Sequence, residues 1–201
     1  MSAFLGPIHY LMYDKIQVQD KLCLFLVEKA GEKEAGFAEK ILEETFALPE
    51  GDLAEIVDLN NIHGSLQQMV EMVEYKLAYC VDRILVHNVC TLEELVQYAE
   101  EYGNLIGESN IANAVAAYQY LFSKLLNGMP CDRVQEVLEK TDNSVVWREV
   151  RDIHGEIWQE MKRDGSEFYR IRSGMIEGML GKSGFVFETF GPFHYKLRSA
   201  E

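Results

Sequence analysis

Five histidines offer this chain its widest choice of chemistry, and four of them stand in two look-alike contexts. His63 lies in "NIHGSLQQM" (61–69) and His154 in "DIHGEIWQEM" (152–161), while His9 lies in "LGPIHY" (5–10) and His194 in "FGPFHY" (190–195). Imidazole ligates metals and exchanges protons near neutral pH. His9, His63, His154 and His194 are therefore the candidate ligands of an iron or zinc site, which would leave room for an enzyme. The usual intrahelical signatures are absent: there is no Glu-x-x-His, no His-x3-His and no Cys/His cluster at zinc spacing. Any such site must collect its ligands from separate segments. His63 and Glu74 both sit at the edge of one apolar helical stripe, but about 16 Å apart along the axis, too far to share one ion. The competing reading makes the same residues helix punctuation. Asn61 and Asp152 cap helices, Gly64 and Gly155 permit close packing, and the imidazole finds a backbone carbonyl. In the two GP-x-HY stretches, Gly-Pro turns the chain and Tyr packs. His87 falls near the end of a long helix, where it complements the C-terminal dipole.

Other chemistries leave fainter traces. Cys131 follows Pro130 at an expected helix start, where unpaired amides favour a thiolate, but no histidine is near in sequence to activate it. Cys23, Cys80, Cys90 and Cys131 are scattered without a CxxC, the pattern of buried thiols. No phosphate loop, dinucleotide fingerprint, nucleophile elbow or zinc-protease motif occurs, so the balance leans away from an enzyme. The net charge is −14, with −12 carried by residues 1–128 and −2 by 129–201. That surface repels phosphate backbones and anionic headgroups, so neither nucleic acid nor membrane is expected as a partner. The longest apolar run, "LCLFLV" (22–27), is far below the roughly 20 residues that span a bilayer, and the opening has no basic leader, which points to the cytoplasm.

The elements that must position these residues divide into two grammars. Pro7 opens a helix whose apolar positions Ile8, Met12, Leu22 and Leu26 share a face and whose stop is Gly31. A second helix is expected over 32–47, followed by the turn-like "LPEGD". The clearest helix covers 60–87, with Ile62, Leu66, Met69, Val73, Leu77, Cys80 and Ile84 in alternating three and four spacing. It would be a rod of about 40 Å. Thr91 and Glu94 form a capping box for a helix ending near Gly107, and Ser109 or Asn110 caps another running to Gly128. These five make an acidic helical bundle, 1–128, with a homodimer as one way to use its long central helix. Past Gly128, Pro130 opens a short helix to about Lys140, and "NSVVWREV" (143–150) reads as a strand. Helices follow over 153–163 and 166–180, and "FVFETF" and "FHYKLR" form a hairpin around Gly191-Pro192. The fold class is mainly α, α+β, with a three-stranded antiparallel sheet and packed helices in 129–201, which may form one domain with the bundle.

The stretch "NSVVWREV" followed by "SEFYRIRSGMIEGMLGKSGFVFETFGPFHYKLR" resembles the closing strand, helix and hairpin of the 4-vinyl-reductase-type and haem nitric-oxide-binding ligand-sensor domains. The resemblance covers some 55 residues. Thr189, Phe190 and Tyr195 stand where those sensors often carry hairpin cysteines, and the haem family's basic and tyrosine signature is not recognisable, so no functional residue is carried over. The resemblance implies a ligand-holding α+β module. The helix within it carries Gly174, Gly178 and Gly181 at spacings of four and three, a bare strip against which a flat ligand or another element must lie closely. Arg148, Arg151, Arg170 and Arg172 stand among Trp147, Trp158, Phe168 and Tyr169. They suit an anionic or planar ligand clamped against an aromatic wall, or ion pairs to the acidic bundle. The leading expectation is a non-catalytic, sensor-like protein binding a small molecule through His63, His154, Trp158, Arg172, Gly174 and Gly178. Its alternatives are the histidine metal protein and a protein-interaction module that docks through the acidic bundle.

Overall fold

The computed structural model describes residues 4–49 and 51–200, and of Pro130 only the backbone. Residues 1–3 of the opening and Glu50 of the "LPEGD" turn lie outside those described. Helices α1 (Pro7–Lys33) and α4 (Ile62–Val86) form the scaffold, separated by α2 (Phe37–Glu43) and α3 (Leu53–Ile56). α5 (Leu92–Ile106), α6 (Ala114–Lys124), α7 (Gly155–Glu160) and α8 (Ser166–Leu180) complete the helices. Strands β1 (Gln135–Lys140), β2 (Ser144–Glu149), β3 (Phe185–Gly191) and β4 (His194–Ser199) form one antiparallel sheet in the order β1-β2-β4-β3. This is the α+β class expected, with four strands in place of three.

The fourth strand replaces the expected helix 130–140. Only a single 3-10 turn, Pro130–Asp132, forms there, and Arg133 ends it in the left-handed region at φ 48°. β1, "QEVLEK", is an edge strand that buries almost nothing. With no covered face it lacks the alternation by which strands are recognised, and its Glu, Leu and Lys favour helix.

The first two helices also differ from expectation for steric reasons. α1 runs past Gly31 because that glycine admits α2 rather than stopping a helix: a Cβ there would stand 2.8 Å from the Cβ of Ala38. Gly36, at φ 79°, then begins a helix of seven residues, not the sixteen of 32–47. Asn113, not Ser109 or Asn110, caps α6 by accepting the Ala116 amide at 2.9 Å.

α1 and α4 lie side by side in parallel, locked midway by Lys76 Nζ on Asp20 Oδ1 at 2.6 Å between buried side chains. The larger core cluster draws on both halves of the chain, joining Leu77, Ile84, Leu95 and Leu121 to Trp147, Trp158, Ile176 and Leu197. A smaller one at the His9 end gathers Met12, Ile16, Leu66, Met69, Leu126 and Met129. One sheet face, carrying Val145, Trp147, Tyr195 and Leu197, packs inward, with Trp147 edge-on to Tyr118 of α6. Among the described residues no helix is long and apolar enough to cross a membrane.

Candidate functional site

Glycine governs the contact of α8 with α5. A Cβ at Gly174 would lie 2.5 Å from the Val96 carbonyl oxygen, one at Gly178 would overlap the Glu100 carbonyl, and Gly103 of α5 and Gly107 just past its end approach α8 closely as well. The bare strip thus seats one helix backbone on another. Gly178 is filled by that contact, whereas Gly174 also borders open space on its other side.

That space is a pocket of about 670 Å³ between α8 and the β3–β4 hairpin. Tyr169, Ser173 and Gly174 form its floor, and Phe193 and Tyr195 of the hairpin form its wall. Phe193 holds φ 57°, a conformation costly to a bulky residue, and its ring meets Tyr169 edge-on at 5.2 Å between centroids. The Phe193 carbonyl accepts the Glu149 amide at 2.9 Å, which fixes the turn. Burial, then the bond its hydroxyl donates to Asp152 Oδ1 at 2.7 Å, push the Tyr169 phenol far above its ordinary value, and burial foremost does the same at Tyr195. Both therefore stay neutral donors. Burial pushes Asp152 up, but the amides of Gly155 and His154 and the Tyr169 hydroxyl outweigh it and hold the carboxyl below its usual range. Burial and then Glu100 raise the carboxyl of Glu177, also on the rim.

Of the two readings of the arginines, a ligand clamp or ion pairs to the acidic bundle, Arg170 takes the second. Arg170, the one cation on the pocket lining, is drawn to Glu93 at 3.0 Å, and Arg172 is buried on Glu149 at 2.5 Å. Asp152, Asp164 and Glu177 remain. The lining favours a neutral or cationic molecule with a planar part, since anions meet three carboxylates and aromatic faces attract cations.

The histidines separate into pairs of different fate. His9 and His63, in the first turns of the parallel α1 and α4, bring their Nε2 atoms to 3.3 Å with the rings at 61°. The Gly6 amide donates to His9 Nδ1 at 2.9 Å, so in the neutral ring the proton sits on Nε2 and is donated to His63. Met12, Met129 and Cys131 line the same small cavity, and Cys131 is exposed. Among the described residues, no three His, Cys, Asp or Glu gather as a metal site would require.

His154 is elsewhere, 1% exposed and stacked on Phe168 at 4.0 Å. Its Nδ1 meets Glu74 Oε2 at 2.9 Å and its Nε2 meets Asn127 Oδ1 at 3.2 Å. Asn127 Nδ2 donates to Glu149 Oε1 at 2.9 Å, which turns the amide oxygen toward the imidazole. Both ring nitrogens thus face acceptors, and the network is complete when both carry hydrogen. His194 is at the hairpin, its Nδ1 2.7 Å from the Pro192 carbonyl. His87 caps the end of α4, its ring edge-on to Phe37.

This chain matches no family model, no curated protein and no solved structure. Its site must therefore be argued from its own residues. Of the six ligand contacts expected, Gly174 alone borders the hairpin pocket. Trp158 is fully enclosed in the core, His154 and Arg172 are consumed by Glu74, Asn127 and Glu149, Gly178 is under α5, and His63 faces His9. Sequence reasoning had Tyr169 among the aromatics of a ligand site but missed Ser173 in the floor, Phe193 and Tyr195 as the wall, and Asn127 as the link between His154 and Glu149. The spacing of Tyr169 and Ser173, one turn apart and adjoining Gly174, is the signal that could have found the floor.

Proposed function

We propose that this is a non-catalytic protein that binds a small molecule in the pocket between α8 and the β3–β4 hairpin. The observation that carries the reading is a cleft of about 670 Å³ combining aromatic walls with convergent polar groups, within the size and character of small-molecule sites. Its Phe193 wall is held in a strained conformation, the kind of local cost that surrounding structure sustains at ligand clamps. The resemblance of 143–198 to ligand-sensor domains supports the same reading. The ligand class is a planar, neutral or cationic compound, stacked on Tyr169 and Phe193 with its positive end toward Asp152 and Asp164.

Saturation-transfer NMR with tryptamine, and with indole-3-acetate as its anionic counterpart, tests this directly. Tryptamine should show transfer with the native chain, lose it in Ser173→Trp, which fills the floor, and exceed indole-3-acetate. Equal transfer to both probes, unaffected by Ser173→Trp, would remove the pocket from consideration.

A metal-binding reading rests on one observation, the 3.3 Å between His9 and His63 Nε2. Two nitrogens on a tetrahedral ion at about 2.05 Å stand about 3.3 Å apart. The thioethers of Met12 and Met129 beside them favour a soft ion such as copper(I) over iron or zinc. Binding would displace the His9 Nε2 proton and the Gly6 amide from Nδ1. Elemental analysis of protein purified without metal-affinity resin decides it: a metal content that His63→Ala abolishes supports the site, and none in either protein refutes it.

A further inference from the structure

The chain carries a net charge of −14, so a cleft walled by cations without a single acid among the described residues is out of character with its surface. Such a cleft, of about 310 Å³, lies where the segment after α6 passes α1, and Lys15, Phe122, Asn127, Arg133 and Gln135 border it. It is separate from the hairpin pocket and depends on no property of it.

Lys15 is the anomaly. It is 4% exposed, and lysine is almost never buried unless paired. The other buried charges of the described residues have partners: Lys76 holds Asp20, His154 holds Glu74, Arg172 holds Glu149 and Asp82 holds Arg83. Lys15 has no carboxylate within ion-pair distance among the described residues, and its Nζ rests 3.8 Å from the centre of the Phe122 ring. One aromatic face returns less than desolvation of the ammonium takes away. Burial, then repulsion from the Arg172 guanidinium, push its pKa down to about 8.

Arg133, an exposed residue, supplies a second cation to the lining. Its guanidinium makes no ion pair among the described residues, and its backbone is fixed at φ 48°, ψ 44°. The carboxylates nearby are engaged. Asp132 takes the Met129 amide at 2.8 Å and Arg151 at 3.3 Å, and Glu149 takes Arg172 and Asn127. Gln135 accepts the Tyr118 hydroxyl at 3.4 Å, and its amide nitrogen makes no hydrogen bond among the described residues.

We propose that this cleft binds a small oxyanion, a carboxylate or phosphate group, held between the Lys15 ammonium and the Arg133 guanidinium with Phe122 as its apolar wall. The anion supplies the counter-charge that no described carboxylate gives Lys15, and Arg133 gives it a planar pair of donors. A volume of 310 Å³ suits a compact molecule.

Thermal unfolding at pH 7 with millimolar inorganic phosphate or benzoate, ionic strength matched with sodium chloride, tests the proposal. Either anion should raise the midpoint of the native protein saturably by several degrees, and Lys15→Met and Arg133→Ala should each abolish the shift. Lys15→Met should itself melt no lower than the native chain, because it deletes an uncompensated buried charge. A response to phosphate alone assigns the site to free or esterified phosphate, and one to benzoate alone to carboxylates. No shift beyond the chloride control with either anion, or an equal shift in Lys15→Met, would overturn the site. Should Lys15→Met not fold, acetylation of Lys15 in the native protein by acetic anhydride, read by mass spectrometry, decides. At least fivefold slowing by the anion supports the site, and an unchanged rate refutes it.

Discussion

The helix starts at the two Ile-His-Gly segments share a sequence and differ in everything around it. Asn61, the N-cap of α4, accepts the Gly64 amide at 3.2 Å, whereas α7 starts only at Gly155 with His154 as N-cap, so Asp152 is not the N-cap expected but lies two residues ahead of it and accepts the Gly155 amide at 2.8 Å; both side chains fold over the following glycine. In both, a Cβ on that glycine would overlap the side chain folded over it. The tetrapeptide thus encodes one local device, a short polar side chain bonded to the backbone at the helix entry with a glycine making room for it. The imidazole between them is left to its tertiary neighbours. His63, exposed, meets another imidazole, whereas His154 lies inside the molecule between a carboxylate and an amide. A repeated motif can fix backbone geometry while saying nothing about the chemistry of the side chain it carries.

The widest separation between the two helix starts should appear when each imidazole is removed. His154→Ala leaves Glu74 buried without its partner and strips an acceptor's donor from Asn127, and should cost about 3–5 kcal/mol in urea unfolding. His63→Ala removes one neutral hydrogen bond beside water and should cost under about 1 kcal/mol. Equal losses would break the comparison. At the glycines the two should converge. Gly64→Ala and Gly155→Ala each evict the polar side chain folded over them and should each cost about 1–2 kcal/mol, and a harmless change at either would show that this side chain is not the reason for the glycine.

The smallest contrast lies in acid. Asp152 has its folded carboxyl held below the ordinary value of 3.8, so its stabilisation is present above about pH 3.8 and is lost as pH falls through the lower folded value. Asn61 has no such proton. Asp152→Asn, which puts the amide of the His63 segment in place of the carboxylate, should flatten the acid limb of the unfolding curve below pH 4, measured by circular dichroism. An unchanged acid limb would mean that the Asp152 carboxylate carries no share of the acid response.

Much of the architecture was legible because it obeys local rules. The stripe from Ile62 to Ile84, the Thr91–Glu94 capping box and the Gly-Pro hairpin recur in the structure because periodicity, caps and turns are set within a few residues. β1 escaped because an uncovered edge strand has no face to write into its sequence. The site was legible only in pieces. Gly174 was visible as a bare helical position, but the helix seated on it is α5, more than 65 residues earlier, a partner that no spacing within α8 specifies. The sequence left the arginines open between a ligand clamp and ion pairs to the bundle for the same reason: Arg170 goes to Glu93 of the bundle and Arg172 to Glu149 of the sheet, a choice made by tertiary contact.

The central claim is that the cleft between α8 and the hairpin binds a small molecule. Amide chemical-shift mapping of the isotopically labelled native protein against a library of small aromatic fragments tests it most directly. Planar neutral and amine fragments should move the amides of Ser173, Gly174, Phe193 and Tyr195 above all others, with those shifts lost in Ser173→Trp. A library that leaves these four amides unmoved would contradict it.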